Sequence, residues 1–480
     1  MANDGGKPPP LDVPLSFVAW DDRGKHTPIS RLKEKLPFMR DRITKLRSSH
    51  NDEPTDVLQV MGDVTVDYYS GVWARDANEA SAADMLQYVR DYTSQVPTDL
   101  VPVLPTSEDF QDIIANTGDS CAGPDGIPFT YYRSYNLVDT ALARVLADIT
   151  AALGDGRTAP TEYNYARFFL LPKKAGFLVA DTRGISVTNC DNRIIATGVA
   201  EAITPALQAI IHADQKGFVK GRVGTNHVHS LTSSFYASLN KREQQHVLLL
   251  DMKRAFDTIA HKFIHTCLKE MGMGEWLCNV VKGLLHHVLV FPVFRVPTKH
   301  HIRIFKGVKQ GCPLSPLLFI ICFDLLLRAL TDLECTTYER FGFADDLAIA
   351  LRSVTLLLEI FEAAAAFSKV SGLWMNPAKS TVVSAKRPSL FTVQRLADAG
   401  WGEVCFVDKG VYLGVLFGRH VTTFDLCKAR STSSPGGWEA CAMPWSTWAS
   451  TSAGCSSTFS SCPSSTTWPS LSSSLTTRWY

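Results

Sequence analysis

The sequence predicts an α+β fold, an antiparallel sheet packed on helices, on three observations. Val247-Leu248-Leu249-Leu250 runs directly into Asp251, and four consecutive apolar residues read as a short strand buried on both faces that ends in a carboxylate. Phe341-Gly342-Phe343-Ala344 and Leu347-Ala348-Ile349-Ala350-Leu351 flank the pair Asp345-Asp346. Apolar flanks pack on a pleated surface and Asp tolerates turn angles, so these segments read as a hairpin with two acids at its tip. The apolar run 317–330 reads as a buried helix, with Ser315 as N-cap and Pro316 in the first turn. A second helix, roughly Thr355 to Val370, stops near Gly372. Strand, helix, hairpin, helix is the alternation of such a layered fold.

The remaining elements follow in chain order. Residues 1–14, with Gly5-Gly6 and Pro8-Pro9-Pro10, read as a disordered leader, and 15–105 as a helical N-terminal extension closing in a linker at Pro97–Pro105. Phe110, Ile113 and Ile114 have helical spacing, with Thr106 or Ser107 as N-cap. Arg167 to Lys174 reads as a strand entering a basic loop, and Val199 to Ile211 as an amphipathic helix. Together 106–245 forms one region and 246–420 the region of the acidic strands. In the tail, residues 431–480 hold 24 Ser or Thr and five of the ten Trp, with only Glu439 and Arg478 charged. Such a composition buries too little apolar area to offset its ordering entropy. The segment 421–480 is expected to be degenerate or disordered, read out of frame beyond about Cys427.

The acidic segments carry the chemistry. Two adjacent carboxylates resist joint ionisation unless a cation neutralises them, and hard divalent ions such as Mg²⁺ prefer carboxylate oxygens. An Asp-Asp pair alone is usually a solvated turn, and Asp251 alone reads equally as a cap of the following helix. Taken together, Asp251, Asp345 and Asp346 form a candidate ligand set for two Mg²⁺ ions, which at about 4 Å separation can promote in-line phosphoryl transfer.

Several ordered motifs widen this reading. They are Gly123-Pro124-Asp125-Gly126-Ile127-Pro128; Leu171-Pro172-Lys173-Lys174 with Arg183 and Ile185-Ser186; Gln215-Lys216-Gly217-Phe218; and Asp251 through Asp257. After them come Gly307 through Pro316 around Gln310-Gly311-Cys312-Pro313, the Phe343–Asp346 box, Gly372-Leu373 with Asn376 and Lys379, and Tyr412-Leu413-Gly414. Over positions 107–417 the chain resembles the reverse transcriptases of LINE-type, non-LTR retrotransposons, and more distantly those of group II intron maturases.

The resemblance implies a right-hand polymerase fold with fingers at 106–245 and palm at 246–420; the helical thumb expected after it is truncated or degenerate. It implies an RNA-directed DNA polymerase that joins a dNTP to a primer 3′-hydroxyl, its activity impaired if the thumb is lost. Asp251, Asp345, Asp346 and the Met252 carbonyl are then the metal ligands, for two Mg²⁺ ions or Mn²⁺ in their place. Lys173, Lys174, Arg183, Gln310, Gly311 and Lys379 contact the nucleotide, and Phe256 lies under its sugar, where a ring leaves no room for a 2′-hydroxyl. Gln215, Gly217, Phe218 and Arg222 line the template path, and Tyr412, Leu413 and Gly414 form the primer grip. One departure stands out: Gly184 follows Arg183 where the family usually has Pro. Two other readings stay open, an inactive remnant that only binds nucleic acid and an RNA-directed RNA polymerase.

Composition bounds the partners. A formal charge of +1 is low for a protein that grips phosphates, so a basic footprint has to be local. Arg31 to Arg47 holds seven Lys or Arg, and Lys299 to Lys309 holds four; each reads equally as a solvated face. The 12 cysteines have no CxxC or finger spacing, and no secretory signal precedes them, which favours a reduced intracellular protein, nuclear or cytoplasmic. His227, His229, His286 and His287 lack partners at metal-ligand spacing. The expected partners are RNA template, DNA primer or target DNA, and dNTPs, with no membrane span.

Overall fold

The apolar run before Asp251 forms β3 (His246–Leu250), which lies between β7 (Asp346–Leu351) and β8 (Thr381–Ser384), antiparallel to both. With β6 (Tyr338–Phe343) and β9 (Cys405–Val407) it completes a five-stranded sheet ordered β6-β7-β3-β8-β9. A central strand has both faces covered, which explains an unbroken apolar sequence where an edge strand would alternate. In this computed structural model, described residues are 43–74, 80–173, 176–240, 245–294, 298, 300–333, 338–384 and 389–421. They divide into two compact units, each discontinuous in sequence. One gathers the described residues of 1–75, 104–199 and 279–312; the other gathers those of 76–103, 200–278 and 313–480. The leader 1–14 and the Ser/Thr-rich tail lie outside the described residues, as do Lys299 and all but 43–47 of the first basic cluster.

The second unit holds the five-stranded sheet. On one face, Val247, Phe341, Ala348, Ala350 and Val383 pack with Leu231 and Phe235 of helix Thr225–Asn240 and with Tyr412 and Phe417. Tyr412 and Phe417 belong to a separate hairpin of β10 (Lys409–Tyr412) and β11 (Val415–Gly418). The residues alternating with them, Leu248, Leu250, Ile349 and Val382, are also buried. Helices Ala82–Tyr92, His261–Glu270, Ser315–Thr331 and Leu356–Ser371 pack together. Phe367 meets Tyr88, Phe263 and Phe323, one ring from each of the other three. Helix Leu356–Ser371 ends on Gly372 at φ 76°, the left-handed cap its sequence predicts. Ser315 is not the N-cap of its helix: Leu314 takes that position, and Ser315 begins the helix as a buried residue with Pro316 next.

The first unit holds a four-stranded sheet ordered β2-β1-β4-β5, from β1 (Ala166–Pro172), β2 (Thr182–Thr188), β4 (Leu289–Pro292) and β5 (Ile302–Arg303). Its Phe168 face packs on helix Leu58–Trp73, with Tyr69 and Trp73 edge-on to the Phe168 ring at 4.9 and 5.3 Å. That packing accounts for Gly184. A Cβ there would stand 2.2 Å from the Phe168 ring, so a side chain at this position would force that ring to move. Thr106 caps helix Ser107–Asn116 in a full capping box with Asp109. The helix expected at Val199–Ile211 begins earlier, as Cys190–Ile210; its first residues, Cys-Asp-Asn-Arg, hide the apolar period. The fold is α+β, as the sequence predicts.

Candidate active site

The register of β6 on β7 pairs Phe343 with Asp346, leaving Ala344-Asp345 as a two-residue turn. Such turns want glycine at the first position because the backbone must reach positive φ, yet Ala344 occupies it at φ 55°. Gln215 holds it there. Its side-chain Oε1 accepts from the Ala344 N–H at 2.9 Å and from the Gly217 N–H at 2.8 Å, while Nε2 donates to the Ala344 carbonyl at 3.2 Å. Backbone bonds Lys216 N–H to Gly342 O and Gly342 N–H to Asp214 O, both 2.9 Å, lay this segment beside β6. A Cβ on Gly217 would stand 2.2 Å from the Ala344 nitrogen, so only glycine permits the approach. Arg340 locks the same segment through Asp214 at 2.9 Å.

Asp251 follows β3, and continuing the Leu250 to Leu347 pairing sets Asp251 opposite Asp346. Its Oδ2 accepts from Asn376 Nδ2 at 2.9 Å, and its N–H donates to Ser380 Oγ at 3.1 Å. The short helix Ala255–Thr258 starts from Arg254 in the left-handed region with no side-chain cap, which removes the helix-cap reading of Asp251. Met252 bridges Met375, and the flanking bonds (Asn376 N–H to Asp251 O, Lys253 N–H to Trp374 O) point toward that segment. In an antiparallel ladder the Met252 carbonyl therefore points the other way, to the β7 side of β3.

The electrostatics follow from this geometry. Asp346 keeps an exposed edge, yet partial burial, then the like charges of Asp345 and Asp251, push its carboxyl up to about 6. Among the described residues no three His, Cys, Asp or Glu side chains close into a metal cage. The three acids form an open set within electrostatic range, acceptor-only oxygens beside a backbone carbonyl, a donor set suited to a hard divalent cation.

Phe256 lies on helix Ala255–Thr258, stacked on the fully buried Phe319 at 4.9 Å and 19°, with Phe218 edge-on at 6.3 Å. Phe218 itself is half-exposed at φ 57°. Lys379 is exposed in the turn that runs from Asn376 to Ser380.

Two expectations for nucleic-acid contact give way to structural roles, and a third residue, Arg222, is braced by backbone carbonyls. Gln215 is completely buried and its amide is engaged by the hairpin, so it positions the acids where the sequence suggested a template contact. The Arg222 guanidinium donates to the carbonyls of Ile211, His212 and Gln215 at 2.6 to 2.8 Å, closing off the end of helix Cys190–Ile210. Tyr412 is buried, and its hydroxyl donates to the Phe341 carbonyl at 2.8 Å. That leaves Leu413 and Gly414, at φ 46° and 78°, as the tip of the hairpin.

Lys173, Arg183, Gln310 and Gly311 belong to the first unit, and Lys174 lies outside the described residues. Lys173 and Arg183 are exposed at one end of the β1–β2 pair, where the Lys173 N–H donates to Asp181 O at 2.8 Å. The Gln310 carbonyl accepts from the Ser186 N–H at 2.8 Å, and Gly311, at φ 114°, runs so close to Ser186 that a Cβ would stand 2.6 Å from its carbonyl. Sequence reasoning missed what Asn376 and Ser380 do; Asn376 stands out only as part of the motif with Gly372, Leu373 and Lys379, and Ser380 carries no signal.

Replacing Gln215 with leucine is expected to leave the Ala344 and Gly217 N–H groups buried without acceptors, at about 1–3 kcal/mol each. A lower urea midpoint together with slowed chemistry is the predicted outcome. Unchanged values for both would show that the amide does not hold the turn.

A strand-end aspartate opposite an acidic hairpin tip, on a sheet backed by helices, is consistent with a metal-dependent nucleic-acid polymerase. The family of reverse transcriptases (RNA-dependent DNA polymerases) matches residues 171–417, more than half of the chain, and the chain belongs to it. It is 29% identical over 289 residues to a Retrovirus-related Pol polyprotein from type-1 retrotransposable element R2 of Popillia japonica, covering 58% of this chain and 39% of the relative. It is 24% identical over 302 residues to the Transposon TX1 uncharacterized 149 kDa protein of Xenopus laevis, covering 61% and 23%. The chain thus spans less than half the length of either relative. An apo telomerase structure from Candida tropicalis, truncated from its C-terminal domain, aligns at TM-score 0.39 and 14% identity over 54% of each chain. Reverse transcriptases use divalent metal ions and copy nucleic-acid templates from deoxynucleotides. Among the described residues no helix is long and apolar enough to cross a membrane.

Proposed function

We propose that the chain is the RNA-directed DNA polymerase of a non-LTR retroelement, copying RNA from the 3′ end of a DNA primer or nicked target. The observation that carries this reading is the turn Ala344-Asp345, clamped by a buried amide at the tip of a hairpin whose register sets Asp346 opposite Asp251. In this reading residues 106–245 are the fingers and 246–420 the palm. Asp251, Asp345, Asp346 and the Met252 carbonyl hold two Mg²⁺ ions, which when bound lower the pKa of the attacking hydroxyl and neutralise charge on the phosphates. The primer 3′-hydroxyl loses its proton to water as its oxygen bonds to the α-phosphorus, the bond from the α-phosphorus to the α–β bridging oxygen breaks, and pyrophosphate leaves with that oxygen. Lys173 and Arg183 grip the triphosphate, Arg by its planar fork. The Gln310 side-chain amide contacts the nucleotide or template and Gly311 allows the backbone to approach it, Phe256 bounds the sugar, and Lys379 protonates the leaving pyrophosphate. Phe218 stacks on the template, with Gly217 beside it, while Leu413 and Gly414 touch the primer backbone.

The test is primer extension on an RNA template with dNTPs or NTPs and Mg²⁺. Deoxynucleotide extension supports the reading. Extension with NTPs alone replaces it with an RNA polymerase, and failure with both leaves a nucleic-acid-binding remnant.

A further inference from the structure

We infer that Asn376 is a positioning residue for Asp251, fixing which carboxylate oxygen faces the metal; this rests on the polymerase reading of the site. The Asn376 amide touches the acid directly, Nδ2 to Oδ2 at 2.9 Å. A carboxylate has two oxygens and roughly four lone-pair directions, so a single strong donor on Oδ2 fixes its rotation about χ2 and leaves Oδ1 for a cation. The donor is neutral. Asp346 already feels the like charges of Asp345 and Asp251, and an amide restrains Asp251 without adding another negative charge to the set.

The backbone holds Asn376 in place independently of its side chain. Its N–H donates to the Asp251 carbonyl at 2.8 Å, and Lys253 N–H donates to Trp374 O at 2.7 Å, so residues 374–376 pair with 251–253 as a short antiparallel bridge. The turn then returns to Ser380, whose hydroxyl accepts from the Asp251 N–H at 3.1 Å and donates to the Asn376 carbonyl at 2.9 Å. Ser380 is fully buried. Backbone and hydroxyl together secure the main chain of Asp251, and among the described residues the one hydrogen bond to its carboxylate comes from the Asn376 side chain. Partners of this kind orient metal ligands, and losing one typically weakens metal affinity or activity by about tenfold to a hundredfold.

The experiment measures Mn²⁺ binding to the full chain by electron paramagnetic resonance, for the wild type, Asn376→Ala, Asn376→Leu and Asp251→Ala. Half-saturating Mg²⁺ in primer extension and template–primer affinity by fluorescence anisotropy are measured beside it. Both Asn376 variants are expected to bind Mn²⁺ about tenfold more weakly and to need correspondingly more Mg²⁺, with template–primer affinity unchanged. Leucine keeps the number and branching of side-chain heavy atoms and removes the donor, whereas alanine removes both, so agreement between the two variants separates orientation from packing. Wild-type Mn²⁺ affinity in both, while Asp251→Ala weakens it, overturns the role of Asn376 alone. Mn²⁺ binding indifferent to Asp251→Ala overturns the metal site itself. Equal loss of template–primer affinity and Mn²⁺ binding in the Asn376 variants marks a folding defect and also counts against positioning.

Discussion

Asp345→Ala is expected to abolish primer extension, by at least about a thousandfold, while template–primer binding stays within about twofold of wild type. The loss corresponds to the several kcal/mol of charge stabilisation that a bound divalent ion supplies during phosphoryl transfer. Binding should survive because groups other than that carboxylate anchor the turn. Its geometry is set by the Gln215 amide on both polar groups of Ala344 and by the backbone bonds of Asp214 and Lys216 to Gly342. Alanine at 345 therefore removes a ligand and leaves the hairpin. Single-turnover extension and anisotropy on the same preparation check the two halves of the expectation. Retained synthesis would remove Asp345 from the ligand set, and joint loss of synthesis and binding would make the residue structural.

The parts of this site that are legible in the sequence are those whose signal is local. The apolar run into Asp251 and the acidic pair between two apolar segments each fit within about ten residues, and periodicity with turn chemistry suffices to read them. Gly372 announces its helix end for the same reason. What escaped sequence reasoning is contact across long separations. Nothing near Gln215 indicates that its amide will close on a turn 129 residues later, and nothing near Asn376 indicates that it reaches back 125 residues to Asp251. Polar residues in a nucleic-acid enzyme invite assignment to template or primer, and Gln215 and Tyr412 both attracted it. Burial decides otherwise, because a buried polar group must find its partner inside the protein. Ala344 is the most informative misfit. Local rules ask for glycine at that turn position, and the compensation lies in a different segment of the chain.

Phe256→Ala is expected to lower discrimination against ribonucleotides by roughly tenfold to a hundredfold, a span in keeping with the effect of small steric changes in an apolar pocket. The ring is suited to act as a wall because it has no retreat. Phe319 stacks beneath it with no exposed surface of its own, Phe218 closes from the side, and the one-turn helix Ala255–Thr258 fixes its Cα. A 2′-hydroxyl approaching such a ring meets a close-packed stack, where displacement costs contacts on two further rings. Alanine opens that space without touching the acids. The measurement is kcat/KM for single-nucleotide incorporation of a dNTP and its matching NTP, with Phe256→Tyr as the control that keeps the wall. Improved NTP use in the alanine variant with dNTP use held within a few fold is the signature of a sugar gate. An unchanged ratio, with both substrates slowed alike, would mean that Phe256 only completes the packing over Phe319.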